Sequence, residues 1–214
     1  MSKKILSIYS SSHPLIQIWV SHICYTQILD YEIIKVITNI SHWLLFETTR
    51  KSIFISNLYI KQFHCTAKIK LFPRTLSHII ISDFQLMHII GKDILLLVPK
   101  CTLHSVHIYK YNNQLEINTM FQKTFKSISL DNPVIIFEQY LDINRIILLI
   151  DSIIKYIKSI KQIKICCIIS STDALQFINQ NYSDIKIYTA KIINNDEYKY
   201  INPFWKVIYK DQIN

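Results

Sequence analysis

Apolar residues recur at helical spacing through the opening of the chain. Over residues 14–29, Ile16, Val20, Ile23 and Ile28 fall on one face, and over 31–50 Ile33, Val36, Ile40, Trp43, Leu44 and Glu47 keep the same interval. Recurrence at three and four residues predicts two amphipathic helices. Their apolar faces, with Trp19 and Trp43, are expected in the core or at a subunit interface. The run Leu76 to Ile81, ahead of Ser82-Asp83, reads as a short buried strand. Val106 to Tyr111 alternates, and Asn112-Asn113 supplies a turn before Leu115 to Met120.

The next stretch has a different rhythm. Asp131-Asn132-Pro133 precedes the apolar run Val134 to Phe137, and Ile146, Leu149, Ile150, Ile153, Ile154, Ile157 and Ile160 then mark a helix that faces a sheet. Ile165 to Ile169 is a further apolar run. Strand, helix and strand within about thirty-five residues is a βαβ unit, which implies parallel strands covered on both faces. Ser171 or Thr172 can cap a helix running through Ile178, and Ile185 to Thr189 is the following strand. No linker or repeat divides the chain, so residues 1–214 read as one α/β domain, a parallel sheet flanked by helices. Ligands of such sheets bind beyond the carboxyl ends of the strands, which points to the segment from Glu138 to Arg145.

Composition removes several kinds of chemistry. The chain has a single glycine, Gly91. Loops that cradle phosphate through close backbone approach need two or more glycines in a local pattern, so a P-loop and a dinucleotide fingerprint are both excluded. Alanine occurs only at Ala67, Ala174 and Ala190, while Ile, Lys, Asn and Tyr abound. That skew follows A/T-rich codons and suggests a genome such as that of an organelle, an endosymbiont or a parasite. The net charge of +9 permits an anionic partner. No basic block concentrates it, however, and Lys155, Lys158, Lys161 and Lys164 read as a solvated helical stripe. No apolar stretch reaches the ~18–20 residues that span a bilayer. Neither a signal peptide nor a transit peptide is expected at the N-terminus. The five cysteines lack metal-site spacing and imply a reducing compartment, with Cys166 and Cys167 buried as free thiols. His64 beside Cys65, and His104 with His107, have no second cluster of ligands and read as structural.

One resemblance runs through nearly the whole chain. His13-Pro14-Leu15-Ile16 with Trp19, then Trp43-Leu44-Leu45-Phe46-Glu47-Thr48-Thr49-Arg50, Ala174-Leu175-Gln176 and Ile187-Tyr188-Thr189-Ala190 resemble the uracil phosphoribosyltransferase family in order and interval. The resemblance implies a phosphoribosyltransferase-type sheet. It also implies a reaction in which uracil and phosphoribosyl diphosphate, with magnesium, give uridine monophosphate and diphosphate. Family members commonly form dimers or higher oligomers.

Three family sites are altered here. The family's acidic, glycine-rich Asp-Pro-Met-Leu-Ala-Thr-Gly-Gly-Ser aligns with Glu138 to Ile146, which keeps Leu141 and has Ile143, Asn144 and Arg145 where the hydroxyl and paired glycines belong. The Arg-Ala-Gly that holds diphosphate aligns with Asp83-Phe84-Gln85, reversing a charge. The uracil segment Tyr-Ile-Val-Pro-Gly-Leu-Gly-Asp aligns with residues 200–207, where Ile201 and Pro203 survive. These departures predict a homologue that has lost catalysis, with no catalytic residue and no metal ligand, kept for binding, assembly or regulation. If activity were retained in a divergent salvage enzyme, magnesium would be the cofactor. Glu138, Asp142, Arg145 and Ile201 would then be the residues meeting phosphoribosyl diphosphate and uracil. A basic α/β RNA-binding protein is the remaining alternative. The expected partner is another copy of the chain, with no membrane and no nucleic acid, and the expected location is the plastid (chloroplast).

Overall fold

The computed structural model describes residues 6–25, 30–50, 56–71, 77–98, 100–111, 114–118, 132–194 and 197. A six-stranded parallel sheet organises them. In chain order its strands are β1 (Ser7–Ser10), β4 (Ser77–Ile81), β5 (Cys101–Ser105), β8 (Val134–Leu141), β9 (Ile163–Ser171) and β10 (Lys186–Ile193), and in space the order is β1-β10-β9-β8-β4-β5. Two antiparallel hairpins stand apart, β2 (Ser56–Lys61) with β3 (Thr66–Leu71), and β6 (Ile108–Tyr111) with β7 (Gln114–Ile117). The described helices are α1 (Pro14–Tyr25), α2 (Asp30–Thr49), α3 (Phe84–Leu97), α4 (Ile143–Ile154) and α5 (Thr172–Asn181).

The sheet divides the apolar core in two because side chains alternate across its faces. Ile79, Ile81, Phe137, Cys166 and Ile168 pack towards α1, α2 and α3. Ile80, Ile136, Ile165, Cys167 and Ile187 pack towards α4, α5 and the second hairpin. Every residue of β9 is buried, which explains its unbroken apolar run. Trp19 and Trp43 are half-buried against the first core, as the helical pattern implies. Together with Leu15 and Phe46 they also line an open groove of about 320 Å³ between α1 and α2.

Several boundaries differ from those read in the sequence. The first helix ends at Tyr25, and residues 26–29 lie outside the described residues. The helix expected through Ile160 stops at Ile154, and Ile160–Gln162 forms a separate 3₁₀ turn. The four lysines therefore do not share one helical stripe. Lys164 lies in β9, 8 % exposed, and its Nζ donates at 2.7 Å to the carbonyl of Thr48 in the last turn of α2. A cation at the negative end of a helix, hydrogen-bonded to a carbonyl left over there, explains a charge inside the sheet.

The strand expected at 106–111 is shorter, since β6 begins at Ile108. Val106 lies just beyond the end of β5, and its N–H donates to the carbonyl of Ile81. The strand expected from Leu115 to Met120 is β7, which ends at Ile117, and residues 119 and 120 lie outside the described residues. Strand β1 and the β2–β3 hairpin carry exposed residues throughout, apart from half-buried Ala67, and so lack the apolar runs that announce a strand.

His104 pairs with His78 on the adjacent strand rather than with His107. Nδ1 of His78 and Nε2 of His104 are 3.0 Å apart, one donating and one accepting, so the pair is held by neutral rings. Both are buried, and burial lowers both pKa values, that of His104 to about 4 with His78 as a second cause. Unfolded, the same imidazole binds its proton near 6.5. Between those values the unfolded chain holds more protons, so stability falls as pH drops from about 6.5 towards about 4. Urea titrations across that window should show the decline in the native protein and a flatter one in a His104→Gln variant.

Phe137 is fully buried at the centre of the sheet. Truncation to Ala there removes both transfer energy and packing contacts. The urea midpoint of Phe137→Ala should fall by the equivalent of about 3–5 kcal/mol, with an unchanged slope.

Candidate functional site

The parallel connections leave β4 and β8 in opposite directions. From β4 the chain passes through α3 to β5, outward on one side, and from β8 it passes through α4 to β9 on the other. Right-handed crossovers then place α3 and α4 on opposite faces of the sheet, in keeping with the two cores. Between the carboxyl ends of β4 and β8 lies the topological switch point, where α/β sheets bind ligands. Glu138, Asp142 and Arg145 all sit there, with Ser82 and Asp83 opposite them. Ile201 lies outside the described residues.

The segment after Phe137 is not the loop its polar residues suggested. Strand β8 continues to Leu141, and α4 begins at Ile143, so Asp142 alone joins them. Asp142 is the N-cap, its carboxylate accepting from the N–H of Arg145 at 2.9 Å. Asn144 and Arg145, at the positions of the family's paired glycines, lie inside the helix. Lys100 is the one non-glycine residue with positive φ among those described. Side chains at 144 and 145 therefore meet no steric penalty, because the backbone there is helical and not left-handed.

Arg145 is turned inward and is 6 % exposed. Its Nη2 donates to the carbonyl of Ser82 at 3.1 Å and to Ser82 Oγ at 2.8 Å. The same hydroxyl donates at 2.5 Å to Glu138 Oε1, which also accepts from the N–H of Ser82 at 3.2 Å. Guanidinium, hydroxyl and carboxylate thus form one buried chain across the two strands. Burial lifts the Glu138 carboxyl to about 7, opposed by the Arg145 charge and by the Ser82 hydrogen bonds.

Asp83 caps α3 in the same manner, Oδ1 accepting from Leu86 N at 3.1 Å. Its other oxygen, Oδ2, is buried with no hydrogen-bond partner among the described residues, and so is Oε1 of Gln139. Both helices that start at the switch point are therefore closed by aspartates of the chain itself. A helix N-terminus attracts phosphate through free N–H groups and a positive field, and a capping carboxylate takes up one of those N–H groups and opposes the field with its own charge.

The carboxylates of the switch point are already in use, Asp83 and Asp142 as caps and Glu138 held by Ser82. No group of three or more His, Cys, Asp or Glu among the described residues is placed to hold a metal ion by itself.

Ser82 is the member that sequence reading missed. It follows the apolar run Ile79 to Ile81 directly, but its partners lie 56 and 63 residues away, beyond the reach of any local pattern.

Comparison with known proteins agrees on the family and the fold. The profile described as "UPRTase: Uracil phosphoribosyltransferase" matches residues 10–203. No curated protein sequence matches the chain. Among solved structures, the AQ2163 protein from Aquifex aeolicus is 15 % identical, with a TM-score of 0.70 over 97 % of this chain and 100 % of that one. A purine phosphoribosyltransferase from Pyrococcus horikoshii is 13 % identical, with a TM-score of 0.39 over 74 % and 87 % of the two chains. A hypoxanthine phosphoribosyltransferase from Trypanosoma cruzi is 10 % identical, with a TM-score of 0.46 over 76 % and 75 %.

The raised pKa of Glu138 has a consequence for stability. Between its ordinary 4.5 and about 7 the folded protein keeps a proton that the unfolded chain has released. Glu138 therefore makes stability fall as pH rises through that window, opposite in sign to the histidine pair. Comparing urea midpoints of the native protein and Glu138→Gln from pH 4.5 to 7 should show this slope lost in the variant, whatever its absolute stability.

Proposed function

The chain belongs to the uracil phosphoribosyltransferase family, and we propose from that premise that it is a member without phosphoribosyl transfer, kept as a binding or assembly component. One observation carries the reading: Arg145 lies buried on Ser82 in the crevice where the family's sugar phosphate would sit. Transfer of this kind depends on donors placed around the phosphate and diphosphate oxygens, and losing a single such donor costs about 10²–10³-fold in rate. Here one N–H at each of two helix starts is taken up by a carboxylate, Asp83 in one case and Asp142 in the other. The guanidinium in the crevice is engaged by a serine.

The chemistry of the crevice is also of the wrong sign. A diphosphate entering it would meet Asp83 and Asp142, and would have to displace a guanidinium already hydrogen-bonded to Ser82. Entry would break the two hydrogen bonds to Ser82, and the neighbouring aspartates would oppose the ligand's charge.

An assembly role is supported by the first two helices. Leu15, Ile18 and Phe46 are exposed beside the groove lined by Trp19 and Trp43, an apolar surface suited to a second copy of the chain. The A/T-rich codon skew supports a plastid-encoded protein.

Titration calorimetry with phosphoribosyl diphosphate and magnesium should give no heat of binding up to millimolar ligand. Labelled uracil should give no uridine monophosphate beyond a Glu138→Ala control. Micromolar binding, or turnover well above that control, would establish the divergent salvage enzyme instead.

A further inference from the structure

We propose that the switch-point crevice has become a site for a guanidinium group, and that Arg145 is its built-in ligand. The proposal deepens the reading above and rests on it, since it says what now occupies the place of the lost substrate. Four observations converge. Arg145 Nη2 makes two hydrogen bonds to Ser82, to the carbonyl and to the hydroxyl. Ser82 Oγ passes the interaction on to Glu138, which is 3 % exposed. Asp83 is fully buried beside them, with Oδ2 lacking a hydrogen-bond partner among the described residues. Arg145 and Asp83 both bear electrostatically on Glu138, so the three lie within one field.

This constellation has the chemistry of a guanidinium receptor. A planar cation with several N–H donors is met by a backbone carbonyl, a hydroxyl and nearby carboxylates in a dry setting, where such contacts are strongest. Attachment to α4 makes the occupancy intramolecular, so the ligand is present whenever the helix is folded. The crevice is closed to anions by that tether, and without the tether it would select a cation.

Arg145→Ala leaves a cavity above Ser82 with the acidic partners in place. The variant should melt several degrees lower than the native protein, as expected for losing two buried hydrogen bonds and the packing of the side chain. Low-millimolar guanidinium chloride should then raise its melting temperature by several degrees, saturably. Sodium chloride at matched ionic strength should not, and the native protein should show no such rise. Guanidinium that lowers both proteins alike overturns the proposal.

If Arg145→Ala does not fold, the charge pair is tested by Arg145→Met alone and together with Glu138→Gln. Recovery of melting temperature in the double variant supports the proposal, and simple additivity of the two losses overturns it. Phosphoribosyl diphosphate stabilising Arg145→Ala in place of guanidinium would also overturn it, while leaving the reading of the native chain intact. Binding of phosphoribosyl diphosphate to the native chain would instead defeat that reading.

Discussion

Two neighbouring parallel strands whose connections must leave in opposite directions create a gap that something has to fill. Right-handed crossovers put α3 on one face of the sheet and α4 on the other, so nothing regular covers the carboxyl ends of β4 and β8 among the described residues. In a ligand-binding sheet that gap is the site. Here the chain fills it from within, through Arg145, Ser82 and Glu138. The extension of β8 to Leu141, the one-residue junction at Asp142 and the inward turn of Arg145 are a single solution to that geometric problem.

Much of the fold was legible because burial on both faces leaves a plain mark. The apolar runs of β4, β8 and β9, and the helical spacing of α1, α2 and α4, each follow from which side meets the core. What could not be read is where the mark is absent or misleading. The β2–β3 hairpin is almost wholly exposed, so its Leu58 and Ile69 look no different from loop residues. Glu138, Gln139 and Tyr140 interrupt the apolar run of β8 and suggest a loop, yet they continue the strand. The reason is that the hydrogen-bond partner of Glu138 is Ser82, at the end of β4. Lys164 misleads in the same way, since a periodic run of lysines does not disclose that one of them caps a helix 116 residues earlier. Polar residues become interior when a distant backbone supplies the missing hydrogen bond, and local pattern carries no trace of that.

Glycine scarcity takes on a different meaning in the folded chain. The one glycine sits in α3 at ordinary van der Waals distance from Met87 and Leu103, and its backbone is not left-handed. The left-handed position after α3 is occupied by Lys100 instead. A chain poor in glycine has thus kept the scaffold, which asks for no glycine at the positions described. Helix caps by Asp83, Asp142 and Ser171 do their work with side chains and need no special backbone.

The pairing of β1 with β10 sets an order on synthesis. Ser7 lies opposite Lys186, so β1 leaves the ribosome long before the strand whose hydrogen bonds it shares. Closing a chain loop of that span costs entropy that only the finished C-terminal βαβ unit can offset. Until β10 is made, Ser7–Ser10 has no partner in the sheet, and its length of four residues limits the edge it offers to other chains.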